Sequence, residues 1–180
     1  MSRKYYYFAA SLPALSMDAP PPLTMAHFLR LCDEHLDAGD RGILDQLVGP
    51  AGPGAASHAF LAAWHNIQTQ ILNAVARQRA ARLRVDPTPY IRAQEGIDMA
   101  IEKGVADAFS KPTPQDRELA LDRLRWQLVS GLAGFDPFAS AAIFSYAMRL
   151  RLAERWNAMS AEQGARELEG RVAGLISAVA

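Results

Sequence analysis

"SHAFLAAWHNIQTQILNAVARQRAARLR", Ser57 to Arg84, decides the fold. Phe60, Trp64, Ile67, Ile71 and Val75 recur at spacings of three and four, the period of an α-helix with one buried stripe. Ser57 is a natural N-cap, because its hydroxyl can accept from an orphan N–H of the first turn. Asp86-Pro-Thr-Pro89 stops the run, since proline cannot continue a helix. A helix this long needs other helices to cover it, and the rest of the chain reads the same way.

Downstream, Tyr90, Ile97, Ile101, Val105 and Phe109 mark a further helix, with Gly96 and Gly104 as its weak points. Thr113 followed by Pro114 is a strong start signal: a capping hydroxyl precedes a proline whose missing N–H costs nothing there. Leu121, Leu124, Leu128 and Leu132 give that helix its buried face. Asp136-Pro137 repeats the signal and opens a helix expected to reach about Met159. Ser160-Ala-Glu-Gln163 reads as a capping box. The last helix then carries Ala165, Leu168, Val172, Leu175 and Val179 at heptad-like spacing, with Glu162–Arg166 and Glu167–Arg171 as i,i+4 pairs.

Upstream, "GPAGPGAAS" (Gly49–Ser57) is a loop, and "DRGILDQLV" promises a turn or two of helix. Thr24 caps a helix running from Met25 to Gly39, whose buried face is Phe28, Leu31, Cys32 and Leu36. "DAPPPL" (Asp18–Leu23) is extended. "YYYFAASL", Tyr5 to Leu12, is too short for periodicity to choose between helix and strand. No alternating strand pattern competes. The expectation is an all-α single domain over residues 1–180, an irregular bundle of five to seven helices with a sub-boundary near 85–90.

Composition agrees. Half of the 180 residues are hydrophobic and few are β-branched, which favours helix. Nineteen basic residues meet nineteen acidic ones, so a whole-chain preference for nucleic acid or an anionic membrane is not indicated. One cysteine excludes an internal disulfide and fits a reducing cytoplasm. The opening apolar run contains three tyrosines and ends at Pro13 without a convincing cleavage site, so it does not read as a signal peptide. No window reaches the ~18 apolar residues a membrane span needs.

Chemistry is sparse. Cys32 and His35 lie one helical turn apart with His27 upstream, a beginning for a zinc site that lacks further ligands. On the apolar stripe Cys32 reads better as a small hydrophobe. His58 and His65 are two turns apart, and capping and partial burial account for them. "GPAGPG" lacks the Gly-Lys-Ser/Thr of a phosphate cradle. Asp33/Glu34 and Glu167/Glu169 sit among mixed charges. Arg77, Arg79, Arg82 and Arg84 crowd the end of a helix that has no acid of its own. They complement its dipole, and they equally suit docking to an acidic protein surface. No catalytic constellation can be assembled, so a non-enzymatic protein without cofactor or metal is expected.

Two stretches carry a resemblance: "YYYFAASLPALSMDAPPPLTMAHFLRLCDEHL" at the start, and "FDPFASAAIFSYAMRLRLAERWNAMSAEQGARELE", Phe135 to Glu169. Together they resemble an uncharacterised bacterial family encoded beside subunits of V/A-type rotary ATPases. That family has a tyrosine-rich opening, Ser-Leu-Pro, Pro-Pro-Leu, and a late Tyr-x-x-x-Leu-x-x-x-x-Arg-Trp helix, here Tyr146, Leu150, Arg155 and Trp156. The resemblance covers just over a third of the chain. It implies a subunit-C-like role: a helical, non-enzymatic component, cytoplasmic and peripheral to the inner membrane, with central-stalk subunits and the rotor ring as partners. Members are much longer than this chain, so it would form only part of such a subunit. The aromatic opening would then pin the N-terminus against the helix around Tyr146–Trp156. Phe8 is expected in the core. Tyr5 and Tyr6 suit either core packing or an exposed docking patch. The expected partner-binding residues are Tyr5, Tyr6, Arg77, Arg79, Arg82 and Arg84. The alternative is a free-standing helical adaptor or regulator, with a homodimer through the last helix as one form of it.

Overall fold

The computed structural model describes residues 4–49 and 58–159. Among them are seven helices: α1 (Tyr6–Ser11), α2 (Met25–His35), α3 (Ala38–Val48), α4 (Ala59–Leu83), α5 (Met99–Phe109), α6 (Pro114–Leu132) and α7 (Ser140–Ala158), with a 3₁₀ turn at Thr88–Tyr90. The architecture is the all-α bundle that the helical periods predict. Among the described residues the nearest approach to a sheet is one antiparallel bridge between Lys4 and Ala139. The expected "GPAGPG" loop with its Ser57 cap, and the last helix with its capping box and heptad seam, fall largely or wholly on residues 50–57 and 160–180, outside the described residues. None of the described helices is long and apolar enough to cross a membrane.

Caps explain where the helices begin. The Thr24 hydroxyl accepts from the His27 N–H at 3.2 Å, and the Thr113 hydroxyl accepts from the Asp116 N–H at 3.0 Å. Both are as the sequence suggests. Three boundaries differ. The run expected from Met25 to Gly39 ends at His35, because the Asp37 carboxylate accepts the Asp40 N–H at 2.8 Å and opens a new helix. That helix, α3, is eleven residues long rather than a turn or two. The helix expected from Tyr90 begins only at Met99, capped by Asp98, and Tyr90 and Ile97 are exposed. Asp136-Pro137 does not open α7. The Asp136 carboxylate instead accepts from the Phe138 N–H and pairs with Lys4 at 3.2 Å, and α7 starts at Ser140.

Two apolar clusters are strung along α4. The first half of α4 supplies Phe60, Leu61 and Trp64 to a core with Phe28, Phe144 and Leu150. The second half supplies Ile71, Ala74 and Val75 to a core with Ile101, Val105 and Leu121. Ile67 touches both. α4 is therefore wrapped on several sides rather than buried along one stripe. Gly104 is no weak point: a Cβ there would lie 2.8 Å from a Leu124 methyl, so its bareness lets α5 approach α6 closely. The suggested sub-boundary near 85–90 falls between α4 and α5, which pack on each other in the second core.

α4 also buries two amides, Gln70 and Asn73. They hold the extended stretch 91–98. The Asn73 amide donates to the Arg92 carbonyl at 2.8 Å and to Gln94 Oε1 at 2.6 Å, and its oxygen accepts the Arg92 N–H at 2.9 Å. Gln70 reaches the Glu95 carbonyl and the Asp98 N–H, and Asn66 brackets Glu95. Buried amides are retained where they are satisfied. Here they strap an irregular segment to the helix that sequence periodicity had assigned to apolar packing alone.

Candidate functional site

α4 and α7 together line an open cleft of about 870 Å³. His65, Gln68, Thr69 and Leu72 of α4 line one wall, and Met148, Arg151, Leu152 and Arg155 of α7 line the other. Each wall follows the same i, i+3, i+4, i+7 spacing, so each is one face of a helix. Leu47 and Trp64 contribute apolar surface, α6 brings Asp122 and Arg125, and the strap delivers Arg92. Four arginines thus converge with one aspartate, in a chain whose charges otherwise cancel.

The aspartate is committed inward. Asp122 is fully buried on α6. Its Oδ1 accepts from Arg125 at 2.5 Å, and its Oδ2 accepts from Arg155 at 2.8 Å and from the Trp156 indole N–H at 2.9 Å. Such saturation is what makes a buried carboxylate tolerable. It also holds Arg155, half-exposed, at the cleft lining, and Glu118 lies 3.6 Å from the second nitrogen of that guanidinium. Arg92 and Arg151 are exposed, and neither has a carboxylate partner among the described residues. In a separate hollow against the N-terminal segment, Arg149 stacks on the Trp126 ring at 5.6 Å, and burial lowers its pKa.

The expected partner-binding residues, Tyr5, Tyr6 and the arginines ending α4, lie elsewhere. The Tyr5 hydroxyl donates to Asp40 Oδ2 at 2.6 Å and sits 3.2 Å from Asp37, tying the N-terminus to α3. Burial, then the Asp40 bond, raises its pKa. Tyr6 is half exposed and packs on the Phe138 ring at 4.9 Å. Of the four arginines ending α4, Arg77 pairs with Glu102, and Arg82 bonds the Phe109 carbonyl and stacks on its ring at 5.0 Å. Arg84 takes the left-handed conformation that terminates the helix, with φ of 56°. Arg79 is exposed. Two of the four, Arg77 and Arg82, thus bond within the protein, while Arg79 and Arg84 stay exposed. The cleft arginines come from three other segments and form no cluster in sequence; the signal that existed was Arg155-Trp156.

Cys32 is fully buried, and burial pushes its thiol up to about 12. His35 stacks on Phe8 at 4.9 Å, and His27 is exposed. Among the described residues, no group of three or more His, Cys, Asp or Glu is placed to hold a metal. His58 Nδ1 accepts the Phe60 N–H and so caps α4, while His65 opens onto the cleft.

Residues 103–174 match the model of a family described as "Protein of unknown function (DUF2764)". The matched stretch includes α6 and α7, and with them Asp122, Arg125, Arg151, Arg155 and Trp156. No curated protein and no solved structure matches the chain.

Proposed function

We propose that this chain is a non-enzymatic helical subunit or accessory protein of a V/A-type rotary ATPase, docked at the central stalk and peripheral to the membrane on the cytoplasmic side. One observation supports the reading. The two stretches that carry the resemblance, remote in sequence, form one packed unit. Phe8 stacks on Phe28 and Phe28 on Tyr146, at 6.3 and 5.3 Å. The Tyr146 hydroxyl donates to the Pro13 carbonyl at 3.0 Å, and Glu154 accepts the Met25 N–H at 2.7 Å. The pattern shared with that family is therefore the pattern that builds this part of the fold.

The test is co-expression of the tagged chain with the stalk subunits of the same source. Stable co-elution, with no ATP hydrolysis by the chain alone, is expected. A chain that always elutes by itself sinks the assignment. The cleft favours a second reading, a free-standing helical adaptor. In that case the chain elutes alone yet still captures acidic peptides.

A further inference from the structure

We infer that the cleft between α4 and α7 seats an acidic, amphipathic segment of a partner protein. The inference rests on reading the chain as a docking protein, and it names the surface and the chemistry that docking uses.

Charge complementarity and shape carry it. Two helical faces of identical spacing, one from α4 and one from α7, line the same cleft, and α6, which packs on both helices, adds Asp122 and Arg125 to it. The lining mixes apolar and basic side chains: the buried Trp64 with Leu72 and Leu152, and the exposed Arg92 and Arg151. The one carboxylate in the cleft already accepts three hydrogen bonds and faces no solvent. Arg125 and Arg155 are engaged with Asp122, and Arg155 also with Glu118, so Arg92 and Arg151 are the cleft cations left for whatever enters. Guanidinium forks pair carboxylates bidentately, and exposed ones keep their charge at any physiological pH. A bare anion would leave Leu72, which is 45% exposed, uncovered. An apolar helix would leave the arginines unpaired. A segment with carboxylates on one side and leucine-like side chains on the other satisfies both, the usual logic of a helix laid in a groove.

The probe is a fluorescein-labelled peptide of about three helical turns built from Glu and Leu at helical spacing. Controls replace Glu by Lys, or Leu by Ser, and inorganic pyrophosphate is tested as a competitor. The Glu/Leu peptide should bind the full-length chain, and binding should weaken as salt rises. Arg92→Glu together with Arg151→Glu should weaken it roughly tenfold or more, and should let the Lys/Leu peptide bind instead. Leu72→Glu, at an exposed position that folding does not need, should weaken it comparably. Unchanged binding to these variants overturns the proposal. So does equal binding of the Glu/Ser peptide, displacement by pyrophosphate at similar concentration, or displacement by a peptide of this chain's own residues 160–180. The two readings fail separately. Stalk subunits that still co-elute with the arginine variants remove the cleft and keep the assembly. Peptide binding without co-elution keeps the cleft and removes the stalk.

Discussion

At the scale of single residues, Asp122 ties two helices together. It holds Arg125 on its own helix and Arg155 and Trp156 on α7. Removing one partner of a buried charge network leaves the others desolvated and unpaired, which typically costs several kcal/mol. Asp122→Ala should therefore destabilise the protein by about 3 kcal/mol, read as a lowered urea midpoint. Trp156→Phe, which loses one hydrogen bond and little volume, should cost about 1 kcal/mol. Nothing local announced Asp122. It sits in a charged stretch of α6 beside Arg123, and its partners on α7 lie 33 and 34 residues away. Cys32 was legible, because an apolar stripe at helical spacing already predicted a buried thiol. The arginines ending α4 were visible as a cluster. Their acceptors, Glu102 and the Phe109 carbonyl, belong to α5, a helix the sequence does not connect to them.

At the scale of elements, the strap over residues 91–98 depends on α4 side chains rather than on its own backbone pattern. Asn73 makes three of its hydrogen bonds. Asn73→Ala should cost about 2 kcal/mol and release the strap locally. Trypsin should then cut after Arg92 much faster than in the parent protein, while far-UV circular dichroism barely changes. Helix starts were legible where a hydroxyl capped them, at Thr24 and Thr113, and were missed where a carboxylate did, at Asp37 and Asp98. They were misread where apolar residues continued at plausible spacing without burial. Tyr90 and Ile97 are 68% and 72% exposed, so their periodicity with Ile101 was accidental. Gly96 in the left-handed region, with φ of 66°, turns the chain into α5, which is why the helix waits for Asp98.

At the scale of the whole molecule, burial of neutral titratable groups sets an alkaline limit. Burial raises the Tyr146 hydroxyl from its ordinary 10.0 to about 12 and the Cys32 thiol from 9.0 to about 12. A group whose folded pKa is raised binds its proton more tightly when folded. Its contribution is complete below the unfolded value and disappears as pH climbs through the folded one. The urea midpoint followed by tryptophan fluorescence should stay level from this source up to about pH 9 and fall between about pH 9 and 12. Tyr146→Phe should lower the plateau through the lost bond to Pro13 and make the alkaline fall shallower. The all-α class was legible because every long segment carries a helical period. The cleft was not, since its walls are the partly polar sides of α4 and α7, and only the packing of the bundle brings them to one site.

α4 passes unbroken through both apolar clusters, a rod of about 37 Å with its ends embedded in different packing. A pull applied at the cleft, near its first half, has no joint in which to dissipate. It is passed lengthwise to α5, packed on its other half, as load is along an axle seated in two bearings.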